Sequence, residues 1–317
     1  MTEASRTTGT AAVGRLAPSP TGVLHLGNAR TFLLAWLSVR SRGGSLLLRV
    51  EDIDGPRVKA GAVEQTVEDL RWLGLCWDGA PSLQSERAAA HRDAVDELLR
   101  RGLAYPCVCT RREIDEAASA PHEPTPADGQ VYPGTCRGRY ATLAEAAARA
   151  GRAPAVRFRV DTDAVPFLDG CCGPQAGAVR GDFVIQRRDG GAAYQLAVVV
   201  DDAAQGVTEV LRADDLLPST PRQLLLQRAL GLPAPRYVHV PLLVGADGRG
   251  LSKRFGDTSL RQLRERGVTA RQVCGYLGKL CKLQATAAAC APRDLLGSFD
   301  LDRLPKVALR ADDHGLC

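Results

Sequence analysis

Apolar and polar residues alternate along the chain in two recurring patterns. A short apolar run from Val13 to Ala17 breaks at Pro18-Ser19-Pro20-Thr21-Gly22, and from Gly27 the apolar positions Phe32, Leu33, Trp36 and Leu37 fall on helical spacing. The run Ser45 to Val50 reads as a buried strand, and a helix follows from about Ala60 to Leu73. Strand-helix-strand-helix order favours a parallel sheet with helices on both faces. After another helix, about Ser85 to Arg101, the character changes. Pro121, Pro124, Pro126 and Pro133 crowd a stretch from Ala118 to Gly138 that lacks regular periodicity. This predicts an insertion over about 104–180. Strands are expected at Ala155 to Val160, Asp182 to Arg187, Tyr194 to Val200 and Val207 to Leu211, with the main sheet resuming near Gly181. A helix from Ser219 to Leu230, a strand from Tyr237 to Val240 and a Gly-rich basic loop from Gly245 to Asp257 complete the pattern. Residues 258–317 read as short helices and residues 1–11, polar and aperiodic, as a flexible tail. The expectation is an α/β fold: a sheet domain over 12–257 carrying the insertion, then a helical segment.

Composition narrows the class without naming it. The 317 residues include 41 basic and 36 acidic side chains, a net charge of +5, and 45% hydrophobic residues, which argues against disordered, collagen-like or coiled-coil chains. No apolar run approaches the roughly 20 residues of a membrane helix, and the first fourteen residues lack the apolar stretch of a secretory signal. A cytoplasmic monomer with no membrane partner is expected. Arg supplies 36 of the 41 basic residues and Lys only five, a bias that coding composition also produces, so +5 is compatible with a phosphate-bearing partner but does not predict one. Of the ten cysteines, only Cys107-Val-Cys109 and the pair Cys171-Cys172 are tightly spaced. Reduced thiols in a cytosolic chain make metal ligation the reading to test there.

The segment Arg15-Leu-Ala-Pro-Ser-Pro-Thr-Gly-Val-Leu-His-Leu-Gly-Asn28 carries the first candidate chemistry. Two prolines and a glycine shape a turn leaving a strand, and His25 and Gly27 stand at the mouth of a helix whose N–H groups favour an anion such as a nucleotide triphosphate. Taken alone, His-x-Gly at a helix start is more often a turn with a solvated imidazole. The flanking residues shift that balance, because the segment resembles the first signature of the class I aminoacyl-tRNA synthetases of the glutamate and glutamine branch. Leu48-Arg-Val-Glu-Asp-Ile-Asp-Gly-Pro-Arg57 is similar to the branch's second block. The segment from Ala197 to Arg212, with Ser219-Thr-Pro-Arg-Gln223, resembles its third, and Gly250-Leu-Ser-Lys-Arg254 its second class signature. The four blocks run in the branch's order over residues 13–257, and the resemblance implies a Rossmann-type sheet.

Only about sixty residues follow the Gly250 loop, too few for the branch's helical anticodon-binding domain. Cys107, Cys109, Tyr132 and Cys136 resemble the structural site for one Zn²⁺ in paralogues that lack that domain. The activity this implies is ATP-dependent activation of L-glutamate, followed by transfer to the queuosine base of tRNA(Asp) rather than to the terminal adenosine.

 The queuosine ring, rather than the tRNA's terminal ribose, is therefore the acceptor that the resemblance implies.

The resemblance also implies roles residue by residue. Arg15 would form a bidentate pair with the side-chain carboxylate of glutamate and Glu51 would pair with its ammonium, while Ala17, Pro18, Ser19, Tyr194 and Arg212 complete the pocket. His25, Gly27, Asn28 and Lys253 would meet the triphosphate of ATP, accompanied by Mg²⁺, with His25 and Lys253 stabilising charge during the displacement. Gly250 stands where the signature usually has its first lysine, and Arg249 or Arg254 would substitute for it in part. His122, inside the long segment between Cys109 and Tyr132, is by chemistry a better zinc ligand than a phenol. Tyr132 is preferred for its spacing to Cys136. Two other functions compete: a shortened glutamyl-tRNA synthetase charging tRNA(Glu), and a non-catalytic tRNA-binding regulatory module.

Overall fold

The computed structural model describes residues 11–53, 58–118, 131–245, 248, 251 and 259–311. Strand β1 (Val13–Leu16) leads through the proline turn into helix α1 (Leu26–Arg40), which returns to β2 (Ser45–Val50). Helix α2 (Ala62–Trp72) and strand β3 (Ser82–Leu83) follow, then helix α3 (Ala88–Arg100). β1 pairs with β2 and β2 with β3, both in parallel. Gly14 permits the close approach of β1 to α1, since a Cβ there would lie 2.4 Å from Val39 Cγ2. α1 is buried around most of its circumference, with Leu26, Leu33, Leu34 and Leu37 in the core; truncating one such leucine to Ala costs about 2–5 kcal/mol.

The chain then leaves the sheet. Strand β4 (Ala104–Cys107), helices α4 (Arg111–Ala118) and α5 (Leu143–Ala150), strand β5 (Ala155–Phe158), the hairpin β6 (Phe167–Asp169) and β7 (Gly173–Gln175), and strand β8 (Phe183–Gln186) come in sequence. β4, β5 and β8 form a separate antiparallel sheet. The strand at β8 was expected back in the main sheet; it pairs with β5 instead.

Residues Tyr194–Ala204 form helix α6, where the apolar run Tyr194 to Val200 predicts a strand. Leu196, Ala197, Val198 and Val199 are all buried, so the helix is covered on several sides and shows no polar face from which its period could be read. The main sheet resumes with β9 (Glu209–Ala213), followed by α7 (Thr220–Leu230) and β10 (Arg236–Val240), parallel to β9. Thr208 N–H donates to the Val13 carbonyl at 2.8 Å, and Val13 N–H to the Thr208 hydroxyl at 2.9 Å. β9 therefore lies beside β1 and the strand order is β3-β2-β1-β9-β10.

Strand β11 (Leu243–Val244), helices α8 (Leu260–Glu265) and α9 (Ala270–Leu280), and strand β12 (Leu309–Arg310) close the described chain. Leu260, Leu263, Val273 and Leu277 join the α1 core. No helix among the described residues is long and apolar enough to cross a membrane.

Candidate active site

In a parallel sheet of this order the chain leaves β1 for one side, toward β2, while β9 lies on the other. Ligands bind in the crevice that this reversal opens at the carboxyl ends of the strands. A cavity of about 330 Å³ lies there. It receives Arg15 from the end of β1, Ala17, Pro18 and Ser19 from the turn after it, and Glu51 from the end of β2. Tyr194 opens α6, Arg212 comes from β9, and His25 and Asn28 stand at the start of α1; these four line the same cavity.

The ion pairing is denser than the sequence indicates. Arg15 and Glu51 are both buried and do not pair with each other, so neither belongs to a surface ion pair. Arg15 Nε lies 3.4 Å from Asp202 Oδ1, and Arg49 Nη1 lies 2.7 Å from the same oxygen. Arg49 also donates to Glu51 at 3.2 Å. Burial raises the Glu51 pKa, and the attraction of Arg49 and Arg15 offsets only part of that. The same burial, together with the Glu51 charge, raises the Tyr194 phenol. A carboxylate held this way gains from a ligand cation. Arg49 and Asp202 were not singled out by sequence reasoning, although a charged residue inside the apolar run Ser45 to Val50 was the available signal.

Arg212 Nε donates to His239 Nε2 at 3.0 Å, and its Nη2 donates to the Thr220 hydroxyl at 2.9 Å. His239 Nδ1 lies 2.6 Å from Asp169 Oδ2. Burial and the nearby Arg212 charge lower the His239 pKa against the pull of Asp169, which keeps the imidazole neutral. For Asp169, burial acts upward, but hydrogen bonds from His239 and the Cys172 and Cys171 amides prevail and bring it to about 2.

At the mouth of α1, His25 is the N-cap. Its Nδ1 accepts from the Gly27 and Asn28 amides at 3.1 and 3.4 Å, and its own amide donates to Asn28 Oδ1 at 3.2 Å. The helix-end donors expected to face an anion are thus bonded to the imidazole. Gly27 allows this, because a Cβ there would stand 3.0 Å from the ring. Leu260 N–H donates to the Leu24 carbonyl at 2.9 Å, which joins the chain just past the second signature to this turn. Lys253 itself, with Arg249, Gly250 and Arg254, lies outside the described residues, as does His122.

Away from the cavity, the Sγ atoms of Cys107, Cys109 and Cys136 lie within 4.8 Å of one another. The Tyr132 hydroxyl is 3.4 Å from Cys107 Sγ and 3.5 Å from Cys109 Sγ, and Cys109 and Cys136 are 3.5 Å apart. Tetrahedral Zn–S bonds of about 2.3 Å require sulfurs about 3.8 Å apart, so the donor set fits one such cation. The Cys171-Cys172 pair has no such company among the described residues; both amides cap Asp169, and Cys172 Sγ donates to the His239 carbonyl at 3.3 Å.

A family model described as tRNA synthetases class I (E and Q), catalytic domain, matches residues 12–316. The chain belongs to that family. A relative from Symbiobacterium thermophilum, named glutamyl-Q tRNA(Asp) synthetase, is 47% identical over 94% of this chain and 95% of its own length. One of the same name from Nocardia farcinica is 48% identical over 96% of this chain and 94% of its own. Among solved structures, the glutamate-tRNA synthetase from Elizabethkingia anophelis superposes with a TM-score of 0.80 at 26% identity, covering 97% of this chain and 69% of that one. The α/β catalytic fold of this class I family is therefore the fold of this chain.

Proposed function

We propose that the protein activates L-glutamate with ATP and transfers it to the queuosine base of tRNA(Asp). The observation that carries the first half is the gathering of Arg15, Glu51, Tyr194 and Arg212 around one cavity at the sheet's reversal point. Two guanidinium groups suit the side-chain carboxylate of glutamate, and a buried carboxylate suits its ammonium. The α-carboxylate then attacks the α-phosphorus of ATP in line, forming the acyl–phosphate bond as the bond to the β-phosphate oxygen breaks. Pyrophosphate leaves. No side-chain nucleophile is needed, so the protein's task is alignment and charge stabilisation. His25 and Lys253 stabilise the negative charge of the triphosphate, which Mg²⁺ would accompany. In the second step a queuosine ring hydroxyl attacks the acyl carbon, loses its proton and releases AMP.

The acceptor reading is supported by relatives named glutamyl-Q tRNA(Asp) synthetase, which this chain matches over nearly their whole length. Cys107, Cys109, Tyr132 and Cys136 would hold one zinc ion; with four protein ligands its role is structural, stabilising the insertion. The test is glutamate-dependent exchange of pyrophosphate into ATP, followed by transfer of labelled glutamate to defined tRNAs. Equal exchange with glutamate and glutamine would refute the pocket assignment.

A further inference from the structure

The β6–β7 hairpin of the insertion reaches the glutamate pocket through a buried chain of three side chains. Asp169 ends β6, His239 lies on β10, and Arg212 lines the cavity from β9. The Asp169 and His239 side chains are fully buried. Asp169 Oδ1 accepts three backbone N–H groups, from Cys171 at 2.9 Å, Cys172 at 2.8 Å and His239 at 3.1 Å. Its Oδ2 accepts the remaining contact, from His239 Nδ1 at 2.6 Å. Since a carboxylate only accepts, Nδ1 carries the imidazole proton and Nε2 presents a lone pair. Arg212 Nε, which only donates, lies 3.0 Å from that lone pair. With Nη2 on Thr220, the guanidinium is fixed through two of its nitrogens, and Nη1 has no partner among the described residues.

We propose that Asp169 and His239 are positioning residues that hold Arg212 for the side-chain carboxylate of glutamate, and so set the preference for glutamate over glutamine. This rests on the proposed glutamate activation. The insertion then does more than its own business in this protein: the seat of its hairpin on β10 fixes the tautomer that orients a pocket cation.

The geometry makes Asp169→Asn a selective probe. Three amide donors pin the side-chain oxygen that replaces Oδ1, so the new NH₂ must take the place of Oδ2, facing Nδ1. It donates there and drives the imidazole proton to Nε2, where it meets the Arg212 Nε–H as donor against donor. His239→Gln is the complement, because its amide oxygen reaches the Nε2 position and accepts from Arg212 without help from Asp169.

The measurement is pyrophosphate exchange with purified full-length protein, varying glutamate, glutamine and ATP separately. For Asp169→Asn the KM for glutamate should rise roughly 10- to 100-fold, the loss of one charged hydrogen bond, with the KM for ATP nearly unchanged and the glutamate-to-glutamine preference reduced. His239→Gln should stay near wild type and His239→Leu should match Asp169→Asn. Adding Asp169→Asn to His239→Gln should cost little more, because the link is already bypassed. The proposal is overturned if the KM values for glutamate and ATP rise together with the preference intact, or if the two substitutions add. Should Asp169→Asn fail to fold, the contrast of His239→Gln with His239→Leu decides, and equal loss in both overturns it. A wild-type protein with no glutamate-dependent exchange would refute the proposed function as well; wild-type exchange with unaltered variants refutes this inference alone.

Discussion

Replacing Glu51 by Gln keeps the side chain's size and removes its charge, and the structure assigns opposite consequences to stability and activity. Glu51 is buried with its pKa raised. A group whose folded pKa lies above its unfolded value contributes stability below the unfolded pKa and loses it as pH rises through the folded one, so near neutral pH the Glu51 carboxyl is a burden on the ligand-free fold. Arg49 keeps Asp202 at 2.7 Å after the change. The melting temperature of Glu51→Gln should therefore equal or exceed that of the wild type. Activation should fall, since truncating one partner of a buried charge pair costs about 2–5 kcal/mol, or roughly 30- to 5,000-fold in kcat/KM for glutamate. Pyrophosphate exchange and thermal unfolding on the same preparation give both readings. Exchange within roughly threefold of wild type, or a loss of activity that tracks a melting temperature several degrees lower, would refute the assignment of Glu51 to the substrate ammonium.

The other variants probe separate parts. Metal analysis should find one zinc per chain, lost in Cys107→Ser and Cys136→Ser; unchanged zinc in Tyr132→Phe with loss in His122→Ala would make His122 the fourth ligand. Lys253→Ala should slow adenylate formation with little change in the KM for glutamate, and wild-type exchange would assign the cation to Arg249 or Arg254. Because Asp169 falls from 3.8 to about 2 on folding, it contributes about 2 kcal/mol of stability that is present above its unfolded pKa and lost as pH drops toward 2. Urea unfolding should show the gap between wild type and Asp169→Asn closing over about pH 5 to about pH 2, and a constant gap would contradict that shift.

How far the sequence could be read depended on whether the deciding contacts were local. β1, α1 and β2 were legible because their apolar runs, the proline turn and the His25 cap lie within forty residues of one another. The pocket residues around them were legible through motif resemblance. α6 was not, since a helix covered by its neighbours presents the same Val-rich run as a buried strand. The partner of β8 was equally hidden, because strand pairing is set by residues far apart in the chain. Asp169 and His239 meet across seventy positions with no shared motif, and Asp202, visible beside Asp201, could not be joined to Arg15 and Arg49 until α6 was folded as a helix.

The central claim is the acceptor, and RNA transfer tests it most directly. The protein, ATP and labelled glutamate are offered three substrates: tRNA(Asp) bearing queuosine, the same tRNA without it, and tRNA(Glu). Single-stranded anticodon bases are open to protein recognition, and phosphate contacts should make binding weaken as salt rises. The account predicts label on the queuosine-bearing tRNA(Asp) alone. Stable charging of tRNA(Glu) at its 3′ end, or transfer to none of the three, would contradict it.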